Sequence, residues 1–167
     1  MGCIDLDAEL LGLVDVLARR GPDYALCGGI AVAMYGPPRL TRDIELSVRE
    51  EDLDSFLETV AERGFNVKGG RIPFRLGRPD EQIVHRVSKV AGQEVLTLDA
   101  ILVGPSLEAE WQGRATLEWK GRRVPIVSLE GLTAMKKRAG RRQDLADLEN
   151  LGVDLDDSDD GAHEPEA

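Results

Sequence analysis

From Asp43 to Val48 polar and apolar residues alternate without a break, with Asp43, Glu45 and Ser47 on one side and Ile44, Leu46 and Val48 on the other. A period of two belongs to a strand with one buried face, so these six residues are predicted to sit in a sheet and present their acids together. Two extended residues advance about 6–7 Å, which brings the carboxylates of Asp43 and Glu45 close. Like charges at that separation are unfavourable unless a cation lies between them. Magnesium is held by one or two carboxylates plus substrate phosphates, and this pair suits it.

The preceding residues point the same way. Tyr24–Cys27 reads as a short buried strand. Gly28-Gly29 turns the chain into a short apolar helix, Ile30–Tyr35, which Gly36-Pro37-Pro38 ends. A backbone without side chains at a helix N-terminus offers free N–H groups and a positive dipole end to a phosphate. Further on, Val95–Val103 is apolar on both faces apart from Thr97 and Asp99, so it should be a central strand. A lone carboxylate there is costly unless it is paired or metal-bound. If this strand lies beside Asp43–Val48, then Asp43, Glu45 and Asp99 converge. Such a cluster can hold two metal ions for in-line phosphoryl transfer.

The remaining pattern fills out one domain over 1–153. An amphipathic helix begins after Asp5 and stops at Gly21-Pro22, and a second carries Leu53, Phe56, Leu57 and Val60 up to Gly64. Residues 65–80, with Gly69-Gly70 and two prolines, are predicted as short strands and loops, followed by a strand over 83–90 and a turn at Gly92. Lys120-Gly121-Arg122-Arg123 separates Ala115–Trp119 from Val124–Val127 as a hairpin. Ser128 opens a helix through Ala139, and another covers 142–151. Residues 154–167 hold seven of the acids and no Lys or Arg, and are predicted to be a disordered acidic tail.

Charge and composition narrow the function classes. The net charge is −10, but without the tail it is only −3, so acidity does not exclude a nucleic-acid partner for the body. Aromatics at 4% argue against a stacking platform for single strands. The longest uncharged apolar stretch, Tyr24–Gly36, falls short of the about 20 residues of a spanning helix, so no membrane segment is expected. Cys3 and Cys27 lack metal-ligand or redox spacing, which fits a reducing cytoplasm. His85 has no local partner and reads as a surface or satisfied residue. The basic run Lys136, Lys137, Arg138, Arg141 and Arg142 reads either as a solvated helix face or as a phosphate contact.

The run Cys27-Gly-Gly-Ile-Ala-Val-Ala-Met-Tyr-Gly, followed by Arg39-x-Thr41-x-Asp43-Ile-Glu45-Leu, resembles the signature of the nucleotidyltransferase superfamily that includes DNA polymerase beta. It is similar to stand-alone bacterial members, including AbiEii-type toxins of toxin–antitoxin systems. Ser128–Lys136 and Gly140–Leu148 resemble the helical segment of those proteins. The resemblance implies an α+β fold, a mixed sheet flanked by helices with further helices at the C-terminus. It also implies a nucleoside triphosphate, Mg2+, and transfer of a nucleotidyl group to an RNA or protein hydroxyl. An antitoxin-like partner would follow from a toxin role. On this resemblance Asp43, Glu45 and Asp99 would be catalytic and metal-holding. Gly28, Gly29, Arg39, Arg42 and Lys136 would bind the nucleotide. The chain departs from many active members in carrying Gly29 where they have Ser and Glu45 where Asp is commoner. A catalytically silent module that binds a nucleotide, RNA or protein is therefore the alternative.

Overall fold

The computed structural model describes residues 3–154; the acidic segment from residue 155 onwards, predicted above to be disordered, lies outside the described residues. Helix α1 spans Leu6–Arg20, begins where Asp5 accepts a hydrogen bond from the Ala8 amide, and ends at Gly21 in the left-handed region. Strand β1 (Ala25–Cys27) runs directly into α2 (Gly28–Tyr35), so both glycines already belong to the helix. Strand β2 is Asp43–Val48, as the alternation predicts. A 3-10 turn at Glu50–Asp52 leads into α3 (Leu53–Ala61).

Residues 65–80 differ from the sequence expectation. They hold one eight-residue strand, β3 (Val67–Phe74), rather than several short pieces. It is an edge strand, where Pro73 can be tolerated, and its register shifts between Lys68 and Gly70, which accommodates the glycine pair. Strands β4 (Gln82–Ala91) and β5 (Glu94–Leu102) form a hairpin about Gly92. A short helix, α4 (Glu108–Gln112), which periodicity did not reveal, follows. Strands β6 (Ala115–Trp119) and β7 (Arg122–Ile126) turn at Lys120-Gly121, and α5 (Leu129–Ala139) and α6 (Arg142–Asn150) follow.

The seven strands form one mixed sheet in the order β3-β4-β5-β2-β1-β7-β6. Strand β2 is central, parallel to β5 and antiparallel to β1, while β1 and β7 run parallel. Ile44, Leu46, Leu98 and Ala100 are buried on the face shared with α1, whose Glu9 receives Lys89 of β4 at 2.8 Å. The opposite face carries the acids and is covered only in part, by α5. The result is an α+β architecture, with one sheet face packed and the other partly open. Among the described residues, no helix is long and apolar enough to cross a membrane.

Candidate active site

The parallel pairing of β2 with β5 sets Glu45 beside Asp99 and Asp43 beside Thr97. Adjacent residues in register project to the same face, so all three acids border one cleft of about 460 Å³. Asp43 is exposed, Glu45 half-buried and Asp99 buried. Burial pushes the Glu45 carboxyl above its ordinary range; Lys136 opposes this, Asp99 adds to it, and Arg141 and Asp43 act more weakly in opposite senses. Gly28 lies beneath this carboxylate. A Cβ there would overlap Glu45 Oε2, and the residue holds φ +68°, so both space and backbone require glycine.

The third acid is engaged. Arg86, its antiparallel neighbour on β4, donates from Nε to Asp99 Oδ1 at 2.8 Å and from Nη2 to Oδ2 at 2.9 Å. Sequence reading missed Arg86, although its place in the β4 alternation puts it on the cleft face. Among the described residues no group of three acids, cysteines or histidines comes close enough to hold a metal ion. The fit to magnesium rests instead on Asp43 and Glu45. Among the described residues, these are two hard oxygen donors whose carboxylates have no hydrogen bond or ion pair. One of them is pressed against a glycine cradle that any side chain would fill. That donor set suits an ion shared with substrate phosphates rather than one caged by protein alone.

The basic residues are distributed differently from the sequence expectation. Lys136, assigned above to the nucleotide, is buried, with Nζ 3.2 Å from Asp144 and 3.0 Å from Asp147. Arg39 Nε reaches the same Asp147 at 2.6 Å and also lies over Gly29, where a Cβ would strike it. Arg141 holds Asp144 at 2.7 Å while its own side chain stays 72% exposed. Burial alone would raise both aspartates. The Arg141 bond and Lys136 outweigh it at Asp144, and Lys136, Gln143 and Arg39 outweigh it at Asp147, so both sit below the usual carboxylate range. Three cations thus share two acids beside the N-terminus of α2. Arg42 is exposed next to Asp43 and has no ion pair among the described residues. Of the basic run, Arg138 is paired with Glu110 at 2.6 Å, which leaves Lys137 and Arg142 as its solvated part.

The far wall comes from β3, β4 and β5. Phe74, Val84 and Ile101 line it with Arg75 and Arg86. Arg75 holds a positive φ of 54°, uncommon for a residue with a side chain, and is tied to Asp80 at 3.0 Å. His85 points the other way. Both its ring nitrogens are buried without a partner among the described residues, which corrects the expectation of a surface or satisfied histidine. Burial, with Arg71 and Lys68 nearby, lowers its pKa. Cys27 is fully buried, as expected of a small core residue.

Comparison with known proteins agrees with this fold. The family model described as aminoglycoside-2''-adenylyltransferase matches residues 9–151. No curated protein sequence matches significantly. Among solved structures, a Thermotoga maritima protein described as a nucleotidyltransferase superposes with a TM-score of 0.57 at 16% identity, covering 84% of this chain and 88% of that one. The lincosamide antibiotic adenylyltransferase LnuA, bound to lincomycin, gives 0.57 at 15% identity, covering 87% and 96%. ANT(2'')-Ia, in complex with adenylyl-2''-tobramycin, gives 0.52 at 14%, covering 86% of each. At these identities the solved structures share a fold with this chain.

Proposed function

Because the chain belongs to the aminoglycoside-2''-adenylyltransferase family, within the nucleotidyltransferase superfamily, we propose that it transfers a nucleotidyl group from a magnesium-bound nucleoside triphosphate to an RNA or protein hydroxyl. The observation that carries this reading is the pair of carboxylates, Asp43 and Glu45, that have no partner among the described residues, with Glu45 set over Gly28 at the start of α2. Magnesium bound there would supply positive charge to the phosphates as negative charge develops in the transition state.

The chain's own residues account for the rest. The α2 amides, with Arg39 above Gly29 and Arg141 at the cleft, face the triphosphate tail. Asp99 stands beside Glu45 as the acceptor of the hydroxyl proton, oriented by its two bonds from Arg86. The acceptor oxygen forms a bond to the α-phosphorus, the bond to the β-phosphate oxygen breaks, and pyrophosphate leaves with the electron pair. Lys136 braces the site through Asp144 and Asp147 rather than touching phosphate.

Calorimetry with each nucleoside triphosphate, with and without magnesium, tests the reading. Binding should require the metal and should vanish in Asp43→Asn, which removes a charge at constant volume. Labelled triphosphate should then mark RNA or protein in wild type alone. The second reading, a silent binding module, is favoured by the engagement of Asp99 with Arg86. It predicts nucleotide binding without transfer. A toxin-like role in the cytoplasm, neutralised by an antitoxin-like partner, belongs to the first reading. It requires that expression of wild type, and not of Asp43→Asn, arrests growth.

A further inference from the structure

A cleft bordered by three acids has donors enough for two metal ions about 3.5–4 Å apart. Arg86 stands against the second ion. Its guanidinium meets Asp99 edge to edge, Nε on Oδ1 at 2.8 Å and Nη2 on Oδ2 at 2.9 Å, so both oxygens already accept a charge-assisted bond. The arginine is seated along its stem as well. That stem lies across the bulge of β3, where a Cβ on Gly69 would come within 3.1 Å of Arg86 Cγ and 3.2 Å of its Cβ. Asp99 is buried with its partner, whereas Asp43 and Glu45 have none among the described residues. Three carboxylates less one guanidinium leave a charge of two, which a single divalent ion offsets. A second ion would have to take Asp99 from Arg86 and leave the freed guanidinium nearby, like charge against like.

Resting on the transferase reading above, we propose that the site works with one magnesium ion, held by Asp43 and Glu45, and that Arg86 supplies in fixed form the positive charge a second ion would bring. Asp99 is then not a metal ligand, contrary to the sequence expectation. The acceptor hydroxyl gives its proton to Asp99 as its oxygen bonds to the α-phosphorus, and pyrophosphate leaves with the electron pair of the broken bond. Arg86 keeps its charge throughout, because a guanidinium does not deprotonate in a protein. It acts through Asp99 and is a positioning residue.

Manganese takes the same oxygen donors as magnesium and is paramagnetic, so it reads the number of ions without catalysis. The full chain is mixed with Mn2+, up to two equivalents, and with each of the four nucleoside triphosphates bridged by carbon between the α- and β-phosphorus, which cannot be transferred. Electron paramagnetic resonance of wild type should show isolated Mn2+, one ion bound with nucleotide on each chain. An exchange-coupled pair in wild type overturns the proposal and leaves the transferase reading in place. Arg86→Gln should admit a second ion and give the coupled spectrum; an isolated ion there overturns the role of Arg86. The double variant, Arg86→Gln with Asp99→Asn, removes the pair at constant net charge. It keeps the test open even if Arg86→Gln alone, with Asp99 left unpaired, does not fold. The double variant should hold its one ion within about twofold of wild-type affinity, whereas a loss of about tenfold or more would make Asp99 part of the metal site and overturn the proposal. No bound ion with any nucleotide in wild type removes the transferase reading and the proposal together.

Discussion

Glu45 carries an unfavourable burden in the unliganded protein. Its carboxylate is half-buried, close to two other acids, and its pKa is raised chiefly by burial. A carboxyl whose folded pKa is raised favours folding in its protonated form and loses that advantage as pH rises through the folded value. At neutral pH the charge is therefore a cost. Glu45→Gln keeps the shape over Gly28 and removes the charge. It should raise the melting temperature of the ligand-free protein by about 2–4 °C, the equivalent of about 1 kcal/mol for a domain of this size. Magnesium-dependent nucleotide binding should be lost in the same variant, as calorimetry would show. Gly28→Ala should do the reverse of stabilising, since the added methyl meets Glu45 and forces a side chain into the left-handed region. A loss of about 1–3 kcal/mol in denaturant melts is expected.

At the scale of elements, α5 and α6 show how a correct pattern can be given an incomplete role. The capped helix from Ser128 and the break at Gly140 are legible from residue types, and both are present. The residue types place Lys136 near the cleft but do not show its pairing with Asp144 and Asp147, because helical spacing fixes which residues share a face and not which neighbour they meet. Asp144 and Asp147, three apart and next to buried Leu148, were the available signal that the acids of α6 face inward. Lys136 and Arg141 should accordingly behave in opposite ways. Lys136→Met leaves two buried aspartates short of a partner and should cost about 3–5 kcal/mol in denaturant unfolding. Arg141→Ala removes a largely exposed side chain and should cost under about 1 kcal/mol, yet weaken triphosphate binding measured by calorimetry. Legibility failed in a second place, the Val67–Phe74 strand. Gly69-Gly70 and Pro73 are interruptions in sequence, and an edge position with a bulge makes them tolerable. Arg86 was hidden for a related reason: only the β4–β5 register pairs it with Asp99.

Across the whole molecule, the aspartates beneath the cleft tie the chain's stability to acid. Asp144 and Asp147 sit below the ordinary carboxylate range in the folded state, burial being outweighed by their basic partners. Such groups contribute stability that is present above the unfolded value of about 3.9 and is lost as pH falls through the lower folded values. Acid unfolding followed by circular dichroism should therefore steepen below about pH 4. Asp147→Asn should flatten that dependence while lowering stability at neutral pH. An unchanged acid profile in the variant would mean that Asp147 does not carry it.

The same sheet order that builds the cleft also decides when it can exist during synthesis. Leu26 of β1 sits in register with Ile126 of β7, and Arg39 finds its aspartate 108 residues further along the chain. A ribosome adds about 5–20 residues each second, so Arg39 waits on the order of 5–20 s for Asp147 to be made. During that interval β2 can pair with β1, and later with β5, but the bracing helices do not yet exist. A nascent chain therefore carries Asp43 and Glu45 without the basic frame around them. The cleft is therefore complete only once α5 and α6 have emerged from the ribosome.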